Sequence, residues 1–97
     1  MYLKLHPTPN GQIAALCDSE LIGRVLSDGK RHLDLGKHAS FYMGEKVSRK
    51  QAVEALRSSE NANIVGKKSL DAAKGAGLDV SSSVEISGVP HLQVYRL

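Results

Sequence analysis

The chain opens with YLKLHPTPNGQIAALC at residues 2–17, where two patterned segments flank a turn. In residues 2–6, leucines alternate with longer, more polar side chains, which is typical of a half-buried β-strand. The prolines that follow cannot continue a strand ladder, and Asn10 with Gly11 suits a tight turn that needs positive φ. Residues 12–17 then return as a second strand. This stretch therefore predicts a β-hairpin, around which the rest of the chain is arranged.

Downstream of the hairpin, helix and strand signals alternate. Ser48 and Gln51 form a capping box at the start of a helix, and Gly77 is a helix stop that favours the left-handed conformation. Residues 36–47 are the least regular stretch and are predicted as a loop. The predicted elements are a short helix at 20–26, a strand at 31–35, helices at 48–58 and 66–76, and strands at 84–86 and 91–96. This order predicts a single α+β domain, with a small mixed β-sheet of four to five strands packed on one side by two to three helices.

Length and composition restrict the class of protein. The 97 residues suit one core, and 41% hydrophobic with 24% charged residues is ordinary for a folded domain. No apolar run reaches the roughly 18 residues of a membrane span, and Lys4 and His6 interrupt the start where a signal peptide needs an apolar segment. We therefore expect a cytoplasmic protein with no membrane partner. Cys17 is the single cysteine, so no intrachain disulfide can form, as is usual in a reducing compartment.

Cys17 and His91 are the candidate catalytic residues. Cys17 lies at the end of the predicted hairpin, before a short helix whose N-terminus could lower the pKa of its thiol, and His91 could serve as its base. The alternative is that Cys17 is a small buried hydrophobic residue, the usual state of a lone cysteine. No glycine-rich elbow or oxyanion motif accompanies it. The histidine spacing matches no usual zinc pattern, so the sequence predicts neither a metal nor a cofactor.

Polar side chains of the last predicted strand suggest a ligand surface. His91, Gln93 and Tyr95 fall on one face of that strand, and His6 could lie beside His91 in the sheet. This face either binds a ligand or is simply solvated. The segment at 61–66 carries two asparagines that either cap the next helix or contact a ligand, and capping is the simpler interpretation.

Basic residues are concentrated between Ile22 and Lys50, where seven lysines and arginines oppose three acidic residues, a net charge of +4. Arg49 and Lys50 occupy the first turn of a predicted helix, where the macrodipole favours an anion such as phosphate. Phe41 and Tyr42 are close by in sequence and could stack a base. The alternative is a solvated helix end with Phe41 in the core. The predicted RNA- or anion-binding surface comprises Arg24, Lys30, Arg31, Tyr42, Lys46, Arg49 and Lys50.

Five segments of the chain resemble a known family in their order and spacing. These segments are Tyr2–Lys4, Cys17–Gly23, Phe41–Glu45, Ala62–Gly66 and Gly88–Arg96. Together they extend over essentially the whole chain and resemble the archaeal family known as domain of unknown function 424. The Gly-Val-Pro-His run is the most specific part. The resemblance implies a stand-alone cytoplasmic α+β domain without an established activity, and it implies an association with genes of translation and ribosome maturation.

These observations lead to one functional prediction and two alternatives. The prediction is a non-enzymatic binding module whose partners are RNA, the ribosome or translation factors, with phosphate contacts supplying most of the affinity. The first alternative is a small enzyme or metabolite-binding protein with a site near Cys17, His91 and Gln93. The second is a protein–protein adaptor that uses an exposed strand edge, such as the one at residues 91–96.

Overall fold

The computed structural model of the protein describes residues 1–95. Eight strands, three α-helices and one 3₁₀ turn follow one another along this part of the chain. In order they are β1 (Tyr2–Thr8), β2 (Gly11–Cys17), the 3₁₀ turn (Ser19–Leu21), β3 (Val25–Ser27), β4 (His32–Asp34), α1 (Ala39–Tyr42), β5 (Glu45–Lys46), α2 (Arg49–Arg57), β6 (Asn61–Val65), α3 (Lys67–Gly75), β7 (Val84–Ile86) and β8 (Val89–Tyr95).

Six of the strands form one mixed sheet in the order β5-β1-β2-β6-β8-β7, and β3 with β4 forms a separate two-stranded ribbon. Strands β2 and β6 are parallel, and every other pairing is antiparallel. The α+β class is confirmed, and the sheet is larger than predicted. The helices do not all pack on one side of it, because α1 lies on the face opposite α2 and α3. The predicted hairpin is also confirmed, because β1 and β2 pair in register from Tyr2 opposite Cys17 to Thr8 opposite Gly11.

The expectation that the ladder ends before the prolines was wrong for Pro7, which lies within β1 opposite Gln12. Proline is tolerated there because β5 pairs only with Tyr2 and Leu3, which leaves the outer edge of β1 unpaired at Pro7.

The segment predicted as a helix at 20–26 is different in the structure. It contains the 3₁₀ turn and then enters β3. Gly23 separates the two with φ +93°, a left-handed conformation that interrupts a helix. The amide of Gly23 donates to the Leu35 carbonyl, and the amide of Leu35 donates to the Arg24 carbonyl. The prediction was wrong because this short apolar pattern fits a ribbon strand as well as a helix.

The residues of the main sheet divide cleanly between two faces, because directly opposite residues in a ladder point to the same side. We call the side packed against α2 and α3 the helix face, and the opposite side, covered in part by the β3–β4 ribbon and α1, the ribbon face. Apolar side chains close the helix face. Its buried cluster comprises Ala14, Leu16, Ala52, Val53, Leu56, Ala62, Ile64, Ala72, Ala73 and Leu92.

The ribbon face has a second, smaller core. The β3–β4 ribbon, the 3₁₀ turn and α1 pack against one half of that face, so the stretch predicted as a loop at 36–47 instead supplies a short helix and an edge strand. The buried residues of this second cluster are Ala15, Cys17, Leu21, Leu26, Leu35, Tyr42, Val65 and Ile86. The other half of the ribbon face is not covered in this way, and that difference positions the site described below.

The two longer helices begin in different ways. Helix α2 has the predicted capping box, in which Ser48 accepts from the Gln51 amide and the Gln51 side chain accepts from the Ser48 amide. Helix α3 begins after Gly66, which offers no side chain. Its cap is the buried carboxylate of Asp18, which accepts hydrogen bonds from the amides of Lys68 and Ser69 and from the Ser69 hydroxyl.

None of the helices in residues 1–95 combines the length and the apolar character that crossing a bilayer would require. The cytoplasmic location stays a prediction.

The outer edge of β8 is open over part of its length. Strand β7 pairs with Val89, Pro90 and His91 of β8, and beyond His91 no strand among the described residues covers this edge as far as Tyr95. Arg96, the last residue of the predicted adaptor edge, lies outside the described residues.

Candidate functional site

Cys17 is a fully buried thiol. Its side chain has 0% exposure, and its Sγ donates to the Asp18 carbonyl at 3.4 Å. Burial raises the pKa of the Cys17 thiol to about 12, and the carboxylates of Asp18 and Glu20 add to the effect. The thiolate, which is the nucleophilic form, is therefore negligible near neutral pH. The structure agrees with the alternative interpretation of Cys17 as a small core residue.

Cys17 and His91 lie on the ribbon face but do not meet. Cys17 is opposite Val65 in the β2–β6 pairing, and Val65 is opposite His91 in the β6–β8 pairing. Two strand spacings therefore separate the Cα atoms of Cys17 and His91, roughly 10 Å. With Val65 between them, the two residues do not form a nucleophile–base pair.

His91 instead belongs to a hydrogen-bonded cluster with Asn63 and Tyr42. The Tyr42 hydroxyl donates to Asn63 Oδ1 at 2.8 Å, and His91 Nε2 lies 3.0 Å from the same oxygen. Because a carbonyl oxygen only accepts, His91 carries its hydrogen on Nε2 in this arrangement. Burial lowers the pKa of His91, so the ring is neutral near pH 7. In the neutral ring, Nδ1 is then a hydrogen-bond acceptor.

Two expectations about this cluster were wrong. Asn63 does not cap a helix, because it lies within β6 and points onto the ribbon face. Tyr42 does not offer its ring to solvent for base stacking, because it is only 2% exposed, and burial raises the pKa of its hydroxyl. The hydroxyl of Tyr42 positions Asn63 instead.

The cluster forms the floor of a half-open cavity of about 240 Å³, which we call the polar pocket. Its walls come from β4, the turn before α1, α1 itself, β6 and β8. The lining residues are Leu33, His38, Phe41, Tyr42, Asn63, His91 and Gln93. Larger depressions of about 270, 310, 370 and 430 Å³ all have charged side chains in their linings. The polar pocket is therefore the concavity where neutral hydrogen-bonding groups converge beside apolar walls, as in small-ligand sites.

Phe41 is held in place as a wall of the polar pocket. Its ring stacks on His6 with the centroids 4.4 Å apart, and it meets Tyr42 edge-on at 5.1 Å. His6 Nε2 also lies 2.8 Å from the Phe41 carbonyl oxygen. His6 is thus a support for α1. It is not a neighbour of His91, as the sequence had suggested, because β2 and β6 separate β1 from β8.

The predicted basic surface is divided between the two sides of the sheet. Arg24, Lys30 and Arg31 are exposed in or beside the β3–β4 ribbon. Lys46 lies on the edge strand β5, with Nζ 5.6 Å from the Tyr2 ring centroid. The remaining pair is at the start of α2, on the helix face.

That remaining pair, Arg49 and Lys50, is exposed, but the guanidinium of Arg49 already forms an ion pair. Its Nε donates to Asp71 Oδ2 at 2.8 Å, which links α2 to α3. The structure therefore places Arg24, at the base of the ribbon, and Lys30 and Arg31, at its tip, on the ribbon side, and it places Arg49 and Lys50 on the other side.

Charge also differs between the faces of the main sheet. The strand residues on the ribbon face include Lys4, Lys46 and two histidines, and they include no carboxylate among the described residues. Both acidic residues within the six strands, Glu45 and Glu85, are paired with helix-face residues. The ribbon face is therefore suited to a neutral or anionic ligand. Within residues 1–95, no three His, Cys, Asp or Glu side chains cluster as a metal site would need.

Part of this site could be found from sequence. The alternation of β8 placed His91 and Gln93 on one face, as predicted from the period of a strand. Asn63 is also recognisable as one of two asparagines in a strand whose other residues are apolar. Nothing in the sequence linked Tyr42 to Asn63, because that contact depends on how α1 packs across the sheet.

Comparisons with known proteins place the chain in a family. The model of the family described as "Protein of unknown function (DUF424)" matches residues 6–97. A crystal structure of an uncharacterised conserved protein from Methanopyrus kandleri superposes with a TM-score of 0.82 at 28% identity, and the match covers 99% of this chain and 90% of the other. No curated protein matches the chain. The family match extends over nearly the whole chain, so the protein belongs to the family of unknown function DUF424.

Proposed function

We propose that the protein is a non-enzymatic RNA-binding module whose polar pocket accepts an unpaired base. The observation that carries this proposal is the convergence of Asn63 and His91 on a sheet face without carboxylates. Neutral amide and imidazole groups suit the polar edge of a base, and RNA-binding proteins read unpaired bases by such edge contacts and by aromatic stacking.

The polarity of the cluster defines what the ligand must offer. Asn63 Oδ1 is fully used by Tyr42 and His91, which leaves the Asn63 amide group as a donor and His91 Nδ1 as an acceptor. A planar ring that carries an acceptor next to a donor complements this pair. The ring of Phe41 and the side chain of Leu33 supply apolar walls for its faces.

Phosphate contacts would come from the ribbon. Lys30 and Arg31 are exposed at its tip, two to three residues before Leu33, which lines the polar pocket. Such contacts supply affinity without sequence preference, so binding should weaken steeply with salt. Ribosomal RNA is the first natural ligand to test, because the resemblance noted above associates the family with translation.

The direct test is fluorescence anisotropy with a labelled, unstructured oligouridine at 50 and 200 mM salt. We expect His91→Ala to weaken binding about tenfold, since it removes an acceptor and the partner of Asn63. The matched control is His32→Ala, because His32 is an exposed histidine on β4 outside the pocket. Absence of binding at low salt, or equal affinity for His91→Ala and the wild type, would contradict the proposal.

A metabolite-binding protein is the second candidate, and the small volume of the polar pocket, about 240 Å³, favours it. The same donor and acceptor would hold a free base or nucleotide as well as one within RNA. Cys17 takes no part, because its thiol is buried and separated from His91 by Val65. Binding of a mononucleotide that longer RNA does not improve would support this candidate over the first.

A further inference from the structure

The polar pocket opens at one end onto uncovered sheet. Beyond the pair formed by Asn63 and Gln93, the next ribbon-face row consists of Ile13, Asn61 and Tyr95 on β2, β6 and β8. Ile13 and Asn61 are half-buried, and Tyr95 is 70% exposed. We call Ile13, Asn61, Gln93 and Tyr95 the open strip.

The covering layer reaches the row of the open strip only at β1, where Phe41 of α1 stacks on His6, the residue opposite Ile13, and it does not bury the strip. The ribbon and α1 pack on the row of Cys17 and Val65 and on Ala15, and α1 reaches across the sheet as far as Asn63 through the Tyr42 hydroxyl. None of the residues of the open strip belongs to the buried cluster of this face. The strip is therefore continuous with the pocket and accessible from solvent.

Among the described residues, no contact gives Tyr95 a structural role that would explain so large an exposed aromatic ring. Within residues 1–95, its side chain makes no hydrogen bond, ring contact or cation–π contact. It also extends from a strand, so its direction is fixed by the ladder with Asn61. An exposed aromatic ring on a rigid strand is a stacking platform that needs little reorganisation on binding.

We propose that the open strip is a second nucleotide subsite, in which the nucleotide adjoining the one in the polar pocket stacks on Tyr95. The inference rests on the proposed function and makes it specific: the ligand is single-stranded RNA of at least two nucleotides. Gln93 belongs to both subsites, since it lines the pocket and precedes Tyr95 by two residues on the same face, about 7 Å along the strand.

Charge favours RNA as the occupant of this uncovered face, because its two strand lysines, Lys4 on β1 and Lys46 on β5, are opposed by no strand carboxylate. Across all six strands, the described ribbon-face side chains include lysines and no carboxylate, so a phosphate backbone meets no repulsion from the sheet itself. A stacked base needs only the face of a ring, which Tyr95 offers, while Gln93 supplies both a donor and an acceptor at the base edge.

The experiment compares UMP, UpU and a four-nucleotide oligouridine as ligands of the full chain, by isothermal titration calorimetry. We expect the wild type to bind UpU about tenfold more tightly than UMP, because stacking adds favourable energy for the second base. Tyr95→Ala should abolish that gain and leave the affinity for UMP unchanged. Tyr95→Phe should keep the gain, because it retains the ring. Thermal melts establish that both variants are folded.

Failure of this inference can be told apart from failure of the proposed function. If His91→Ala weakens UMP and UpU alike while Tyr95→Ala leaves the UpU gain intact, the pocket stands and the second subsite is refuted. If UpU binds no better than UMP, the second subsite is likewise refuted. If the wild type binds none of the three ligands, both proposals are overturned.

Discussion

The two faces of the main sheet are built from the same strands and have opposite character. On the helix face, Ala62, Ile64 and Leu92 of β6 and β8 are buried under α2 and α3, and Val94 is partly buried beside them. On the ribbon face, the same strands carry Asn61, Asn63, His91, Gln93 and Tyr95, and the covering layer stops short of the last of these. The difference indicates that the larger apolar core lies on one face, whereas the other face combines a smaller core with a polar surface.

The largest expected effect is on the helix face. Ile64→Ala removes a fully buried side chain at the centre of that core, and we expect it to lower the free energy of unfolding by about 3 kcal/mol. Urea denaturation measures this value. Asn63→Ala, the adjacent residue on the other face, should cost less than half as much stability while weakening RNA binding. A larger loss of stability for Asn63→Ala than for Ile64→Ala would contradict the view that the helix face contributes more to stability than the ribbon face.

Charge reversal should separate the faces in binding. We expect Lys30→Glu with Arg31→Glu to weaken oligouridine binding at least about tenfold at 50 mM salt, because these cations supply the proposed phosphate contacts. The charge-matched control is Arg49→Glu with Lys50→Glu, which changes net charge equally on the helix face and should have a clearly smaller effect. Fluorescence anisotropy with labelled oligouridine measures the affinity of both double variants once each has been shown to be folded. Equal losses would mean that binding follows net charge and not the ribbon face.

The buried thiol of Cys17 predicts that the free energy of unfolding decreases at alkaline pH. Since the pKa of Cys17 is raised from 9.0 to about 12 in the fold, the unfolded chain releases this proton first as pH rises. Stability is therefore lost above pH 9. Between pH 7.5 and 10, the wild type should lose about 1.4 kcal/mol more than Cys17→Ala. Urea titrations of both proteins at both pH values test this. An identical pH dependence would show that the thiol does not titrate differently in the fold.

A smaller effect is expected on the acid side. Burial lowers the pKa of His91, so the unfolded state binds this proton before the folded state as pH falls below about 6.5. Stability should then decrease between pH 7 and 5.5, by up to about 1 kcal/mol, and oligouridine binding should weaken because a protonated His91 loses its acceptor. His91→Gln serves as the control that cannot titrate. If the wild type, like His91→Gln, showed no decrease in stability or binding between pH 7 and 5.5, a buried, neutral His91 would be contradicted.

How much of this could be predicted depends on the sequence distance of the contacts. The β1–β2 hairpin and the capping box of α2 rest on residues a few positions apart, and both were predicted. The strand β3 was not, because three residues of apolar pattern do not distinguish a ribbon from a helix. The hydrogen bonds that join Tyr42 and His91 to Asn63 span 21 and 28 residues. Such contacts follow from the packing of distant elements, which local periodicity does not determine.

Asp18 shows what such distance implies for folding. Its carboxylate caps the amides of Lys68 and Ser69, 50 and 51 residues further along the chain, and Gly66 must lack a side chain because a Cβ there would collide with the same carboxylate. The first turn of α3 is therefore completed only when β2 and β6 are aligned in parallel. Helix formation here is coupled to a non-local strand pairing, so α3 should report on late, cooperative assembly of the sheet and not on an early local nucleus.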